Sequence, residues 1–501
     1  MTGKVLKIKT FTPPADACGE KGPDVDGIIR KGELRGIIKI NEDLCEACDT
    51  CRKVCPVGAI EGRLGAKHKI NDQRCLTCGQ CLISCPFNAI EQMSFVDIVE
   101  KMLDDKNNIV VAHPSPAVRV SIAEEFGGQP GDISTEQMMN AFEKAGFKTY
   151  DVNSSADQTI MEEGTEFVRK IQYWILGKRG PEFERASHHP LPHFTSCCPA
   201  WVRNCETFNA DFIPHLSTAK SPIQMGGVLA KVWAPKYLYN CDPRKVKVVA
   251  VTPCTAKIFE ASRPEMDTAW RYHVKQGNIP ADSPRFPDID AVLTARDVAE
   301  LLRRKGINPL TLPKERKREN LDVYTGAGTI FGTSGGVMEA ALRTAYRVLM
   351  GKELDNADIV PVRGKDHSYV EAKIPLALPE LNGKTFELRV CVVNGANQSL
   401  KYVLDTLRAD PNRWHFIEVM NCPGGCVNGG GQPIQPASVR SFTDIKALRA
   451  KALYDEDEAK TLRKSHLNPV VHECYEWMGG PAGCHKAHEI LHTSYVKRDR
   501  F

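Results

Sequence analysis

The chain of 501 residues is long enough for a large core, either as several units of ordinary size or as one big domain with a small module. Its 66 basic and 62 acidic residues are interspersed and sum to +4, which gives no bulk-charge basis for binding nucleic acid or a membrane surface. Residues 1–30 carry Lys4, Lys7, Lys9, Pro13, Pro14, Asp16 and Asp24 and no apolar run of signal-peptide or membrane-span length, so a cytoplasmic protein is expected. Nineteen cysteines then read as metal ligands or redox groups rather than as a disulfide framework.

Residues 1–35 form an extension without a recognisable motif, Cys18 included. An internal repeat of thirty residues comes next: Cys45-x2-Cys48-x2-Cys51-x3-Cys55-Pro56, then Cys75-x2-Cys78-x2-Cys81-x3-Cys85-Pro86. Short β-type stretches flank each run, at 36–40 and 58–60 and again at 68–70 and 88–90, so each unit reads as strand, ligand loop, short helix, strand. Thiolates two residues apart on a tight loop can meet three corners of a [4Fe–4S] cube, while the cysteine before proline reaches the other cube. Cys45, Cys48, Cys51 and Cys85 are therefore expected on one cluster, and Cys75, Cys78, Cys81 and Cys55 on the other. Zinc also uses Cys-x2-Cys pairs but does not explain the Cys-Pro ending. Residues 36–92 resemble a bacterial two-cluster ferredoxin, a module attached to many enzymes, so function must come from the remainder of the chain.

Beyond residue 93, apolar β-rich runs at 109–112, 246–251, 291–294 and 388–394 alternate with helical patterns at 135–145, 161–176, 225–232 and 336–349. That alternation predicts an α/β domain with a mostly parallel sheet and active residues on loops at strand ends. Three cysteine-bearing segments suit such loops: Thr195-Ser196-Cys197-Cys198-Pro199-Ala200-Trp201, Thr252-Pro253-Cys254-Thr255-Ala256-Lys257, and Cys422-Pro423-Gly424-Gly425-Cys426, which leads into Gly429-Gly430-Gly431. Cys422 and Cys426, four apart, would share one face of a helical turn, with glycines letting backbone approach a bulky inorganic group. Adjacent side chains rarely point at one object, so of Cys197 and Cys198 only one would ligate and the other be free for chemistry, while the pair taken alone reads as a vicinal disulfide or two inert buried thiols.

These loops, with Phe331-Gly332-Thr333-Ser334-Gly335-Gly336-Val337-Met338-Glu339, resemble the signatures of the iron-only, or [FeFe], hydrogenases. The resemblance runs from the ferredoxin repeat to the tail Ala487-His488-Glu489-Ile490-Leu491-His492-Thr493-Ser494-Tyr495. It implies a two-lobed α/β catalytic domain over 93–501, with mostly parallel twisted sheets flanked by helices, beside a small α+β ferredoxin-like domain over 36–92. It further implies an H-cluster, a [4Fe–4S] cube bridged to a two-iron subsite with carbonyl, cyanide and a dithiolate-amine, and two further [4Fe–4S] clusters. By motif, Cys198, Cys254, Cys422 and Cys426 hold the cube, Cys426 bridges, and Cys197 donates protons; a thiol whose ordinary pKa is about 8.5 suits that exchange.

The resemblance also marks Ile160-Met161-Glu162-Glu163-Gly164-Thr165-Glu166 as a relay helix and gives the proton order Cys197, Glu163, Ser217, Glu166, solvent. Read without it, Glu163 and Glu166 would be a solvated helix face. Lys257, Ser115, Pro116, Ser221, Thr252 and Met420 are the implied cofactor-binding positions, with Lys257 holding a cyanide. Ser115 and Thr252 depart from the usual alanine and methionine and make the pocket more polar, which points to a shifted balance between hydrogen uptake and evolution. The implied partners are ferredoxin or a similar low-potential carrier and the hydrogenase maturation proteins. Competing readings are a sensory hydrogenase, a non-catalytic relative of cytosolic iron–sulfur assembly, and one part of a larger flavin-linked complex. Six cysteines remain: Cys18, Cys205, Cys241, Cys391, Cys474 and Cys484, read mostly as small buried residues. The tail's Cys474, Cys484, His485, His488 and His492 read as part of an amphipathic helix, and the acidic run 455–458 as a solvated helix start.

Overall fold

The computed structural model describes residues 5–13, 34–132, 135–318, 320–364, 368–382 and 384–499; Cys18 lies outside them. Near the N-terminus β1 (Thr10–Phe11) runs parallel to β5 (Ile90–Met93), which pairs antiparallel with β2 (Ile38–Ile40), while β3 (Ile60–Glu61) and β4 (Lys69–Ile70) form a small ribbon. The segment before residue 36 thus supplies an edge strand to the ferredoxin-like unit. Each cysteine run leads into a short helix, Thr50–Lys53 or Gln80–Ser84. The repeat extends to the backbone: Ala47 and Thr77, then Asp49 and Gly79, are left-handed at equivalent places, a turn that curls the loop around its sulfurs.

The larger part is built on two four-stranded sheets. In the first, β6 (Ile109–Pro114), β7 (Lys148–Thr149), β9 (Val246–Thr252) and β10 (Ala291–Thr294) lie in the order β10-β9-β6-β7, all parallel. Every residue of β9 is buried, as a parallel strand covered on both faces requires. In the second, β8 (His193–Phe194), β11 (Tyr369–Leu376), β12 (Phe386–Asn394) and β13 (Phe416–Met420) lie in the order β11-β12-β13-β8, with only the edge strand β11 antiparallel. A separate apolar cluster sits on each face of this second sheet. The helix Val152–Lys170 packs against Pro222–Val232 on one side and Gly336–Met350 on the other, joining the lobes.

Four local expectations need correction. The helix expected at 161–176 begins at Val152, where Asp151 caps it through Asn153 N–H, and ends at Lys170 in a π turn, Ile171–Ile175. Its first turns look too polar for a core helix, yet they are buried: Asp157 accepts bonds from Thr325, Ser465 and Asn468. Cys422 and Cys426 do not share a helical turn; Gly424 and Gly425, both at positive φ, fold the loop back before a short 3-10 turn at Cys426–Asn428. The acidic run 455–458 ends a helix, Ile445–Glu458, and its Asp457 is buried against Arg343 and Arg463. The tail forms two helices, Pro469–Met478 and His485–Leu491, with Cys484 capping the second.

Candidate active site and its proton path

Parallel strands from both sheets end at one place. β6 leads into Ser115 and Pro116, β9 into Pro253 and Cys254, β8 into the Cys197–Cys198 loop, and β13 into the Cys422–Cys426 loop. Their ends surround one cavity lined by Cys197, Cys198, Cys254, Cys422, Cys426, Ser115, Pro116, Thr252, Lys257 and Met420, among others. Such a position, outside the carboxyl ends of parallel strands, is where α/β folds bind ligands. Ser221 is not on this wall. Its hydroxyl donates to Glu260 at 2.9 Å, and Glu260 in turn holds Lys257 Nζ at 2.8 Å, so it acts on the cavity through that pair. Lys257 also donates to the Cys197 carbonyl at 3.1 Å, leaving a buried cation beside the thiols.

The eight repeat cysteines fall into two groups. Cys45, Cys48, Cys51 and Cys85 line one small cavity, with the fully buried His68 beside Cys45 (Nδ1 to Sγ 3.9 Å) and bonded to Asp49 at 3.0 Å. Cys55, Cys75, Cys78 and Cys81 are mutually close enough for each ionised sulfur to disfavour the others. Burial, then neighbouring sulfurs, pushes the bare thiols up: Cys51 to about 11, Cys78 and Cys254 to about 12. Cys45 goes the other way, because its bonds to His68 and to backbone N–H outweigh burial. Grouped soft donors, none of them in a disulfide among the described residues, fit cationic iron–sulfur cores that take them as thiolates.

Cys78 lines both worlds. It belongs to the second repeat run and also to the wall of the large cavity. Thr255 Oγ1 donates to the Thr77 carbonyl at 2.6 Å and Gln80 Nε2 to the Asn428 carbonyl at 3.0 Å, pinning the ferredoxin-like loop on the strand-end loops. The approach needs glycine: a Cβ on Gly430 would stand 2.3 Å from the Cys78 carbonyl oxygen. Arg296 clamps the same seam, donating to the Gly430 carbonyl at 2.8 Å and to Gln92.

From Cys197 a polar path leads outward. Burial, then the charge of Glu163, drives the Cys197 thiol well above its ordinary value. Glu163 is 1% exposed and is raised to about 8 by burial and then by Glu166; its Oε1 accepts from Ser196 N–H at 3.3 Å. Ser217 lies near Glu163, whose buried Oε2 has no hydrogen-bond partner among the described residues, and donates to Glu166 Oε2 at 2.6 Å. Burial would raise Glu166 too, but His492 foremost, with His193 and Lys170, more than offsets it and the carboxyl falls well below its usual range. Two carboxylates on one helix are thus driven apart in proton affinity, the arrangement that separates proton holder from anion.

Several participants escaped the sequence reading. Lys170, one turn beyond Glu166, is buried and pushed down to about 8. Glu418, raised to about 7 by burial, takes the N–H groups of Gly335 (2.6 Å) and Met338 (2.7 Å) and so fixes the 332–338 loop beneath Cys426. Its signal was present: a lone glutamate in the apolar run Phe416-Ile417-Glu418-Val419-Met420. His492 and Glu162 gave no such signal, because they meet only in the folded chain.

Thiol-lined sites joined to one another and to a buried acid path define an iron–sulfur redox protein. The chain belongs to the iron-only hydrogenase family. Residues 108–430 match the C-terminal domain of the iron only hydrogenase large subunit, 443–498 the iron hydrogenase small subunit, and 37–96 the LdpA Fe-S cluster-binding domain. The periplasmic [Fe] hydrogenase large subunit of Nitratidesulfovibrio vulgaris is 41% identical over 81% of this chain and 88% of its own length. An apo [FeFe]-hydrogenase from Chlamydomonas reinhardtii superposes with a TM-score of 0.66 at 34% identity, covering 81% of this chain and 99% of that one. The cytosolic iron-sulfur assembly component 3 of Bos taurus is 29% identical over 78% of this chain and 75% of its length. Among the described residues no helix is long and apolar enough to cross a membrane.

Proposed function

We propose that this chain is an [FeFe] hydrogenase catalysing 2H⁺ + 2e⁻ ⇌ H₂, with ferredoxin or a similar low-potential protein as electron carrier. The observation that carries the reading is the junction of the cavity with Cys197 and the path Glu163–Ser217–Glu166 on one side and Cys78 on the other. Protons and electrons thereby have separate buried routes to one place.

In this reading Cys198, Cys254, Cys422 and Cys426 hold the cube of an H-cluster, which when bound supplies the iron site where protons and electrons combine. The crossed sets Cys45, Cys48, Cys51, Cys85 and Cys75, Cys78, Cys81, Cys55 hold two further clusters. Cys197, kept neutral by burial, hands its proton inward and is resupplied through Glu163. Lys257, oriented by Glu260 and Ser221, offers N–H donors to an anionic ligand at the cavity wall. Maturation proteins supply the two-iron subsite, and the polar Thr252 and Ser115 bias turnover toward hydrogen oxidation. We place the chain in the cytoplasm, where its thiols stay reduced; the periplasmic relative makes fractionation the check.

Anaerobic expression with and without hydrogenase maturation proteins, followed by hydrogen evolution from reduced methyl viologen, tests the reading. Activity only in the matured sample is expected. No activity, with iron–sulfur clusters intact and no carbonyl or cyanide infrared bands, would turn the account to the assembly-type relative.

A further inference from the structure

The tail, which matches the iron hydrogenase small subunit, sends one histidine back into the relay helix. His492 is 8% exposed. Its Nε2 lies 2.9 Å from Glu162 Oε2, its Nδ1 2.7 Å from Thr218 Oγ1, and Glu166 Oε1 stands 3.4 Å away. With Glu162 and Glu166 ionised, Thr218 gives its one hydroxyl proton to Glu166 and its oxygen accepts from Nδ1–H, while the Glu162 carboxylate accepts from Nε2–H. A ring that donates from both nitrogens is an imidazolium. Glu162 is itself locked, accepting from the Tyr475 hydroxyl at 2.5 Å and Gly483 N–H at 2.9 Å.

The groups facing this ring come from each element packed on it. The long helix presents Glu162 and Glu166, with Lys170 beyond; the helix Pro469–Met478 presents Tyr475; the loop after Ser217 presents Thr218. His488, on the helix that His492 caps, lies with its ring centroid 4.1 Å away at a 46° tilt, both its nitrogens buried and unbonded among the described residues. Burial and then the neighbouring cation push His488 down to about 3, so it stays neutral. Glu166 also feels Lys170 on its own helix and His193 of β8, the latter driven well below its ordinary value by burial; the cation touching both carboxyls is the tail's.

We propose that His492 is a positioning residue of the proton relay: a cation supplied by the tail that clamps Glu166 and favours its carboxylate form. Burial alone would lower His492, but Glu162 and Glu166 raise it to about 9, so it stays charged across the neutral range. The proton of the relay then rests on Glu163 and the anion on Glu166, and the small-subunit-like tail becomes part of the catalytic path instead of an outer wrap. This rests on the hydrogenase reading for its meaning but not for its first test.

That test is infrared difference spectroscopy of the cluster-loaded protein between pH 5 and 7. In His492→Gln, a carboxylic-acid band beyond those of wild type should grow as pH falls and should vanish in the added Glu166→Gln change. The second readout is the pH profile of hydrogen turnover, whose acidic limb should move up by at least one unit in His492→Gln, a tenfold change in proton affinity. Unchanged cluster content and carbonyl and cyanide bands would show the variant is folded. Should it fail to fold, Glu162→Gln removes the ring's other anchor and should shift the same limb in the same direction. No new acid band and an unmoved limb would overturn the proposal. The carboxyl band is read without turnover, so an inactive wild type would count against the hydrogenase reading while the infrared result still decides the role of His492.

Discussion

Glu163→Gln probes the step on which the proton path turns. Burial and the nearby Glu166 raise the Glu163 carboxyl from 4.5 to about 8. At about 1.36 kcal/mol per pH unit, that displacement corresponds to roughly 5 kcal/mol against ionisation. The sign comes from proton binding: the folded state holds this proton between pH 4.5 and 8 and the unfolded state does not, so the group's contribution to stability falls as pH rises through that window. At pH 7 roughly nine in ten molecules keep the proton on Glu163, and at pH 9 roughly one in ten. Infrared difference spectra between pH 7 and 9 should therefore show a buried carboxylic acid that Glu163→Gln removes. Hydrogen turnover in the variant should fall by about 10²–10⁴, the usual worth of a positioned acid–base group. Absence of an acid band above pH 6, or turnover within a factor of two of wild type, would refute the reasoning.

Other perturbations address the cavity and the clusters. Gly430→Ala drives a methyl into the Cys78 carbonyl and should cost about 1–3 kcal/mol, read as a lower melting temperature together with slower electron delivery from reduced methyl viologen. Cys55→Ser should remove the cluster of the second repeat run and spare that of the first, as read by electron paramagnetic resonance; the reverse loss would mean uncrossed ligation. Thr252→Met strips a hydroxyl from the cavity wall, and the ratio of hydrogen oxidation to evolution should shift toward evolution; an unchanged ratio removes the polarity argument.

The two-lobed sheets were legible because buried parallel strands read as continuous apolar runs; β9 and β10 stand where the sequence predicts them. The cysteine spacing was equally informative, since a thirty-residue repeat of two-apart thiols survives in the backbone as paired left-handed residues. What stayed hidden depends on tertiary contact. The first turns of the long helix look like a solvated segment until Thr325, Ser465 and Asn468 arrive from elsewhere in the chain to satisfy Asp157. Asp457 likewise reads as surface until Arg343 and Arg463 meet it. The proton affinities of Cys197, Glu163 and Glu166 are set by burial and neighbours, which residue identity alone does not carry.

The most direct test of the hydrogenase reading is Cys197→Ser beside wild type, both matured anaerobically and measured for hydrogen evolution and for carbonyl and cyanide infrared bands. The account predicts activity in the wild type, and bands without activity in the variant. Equal activity in the two would contradict Cys197 as proton donor, and a wild type with neither activity nor bands would contradict the hydrogenase itself.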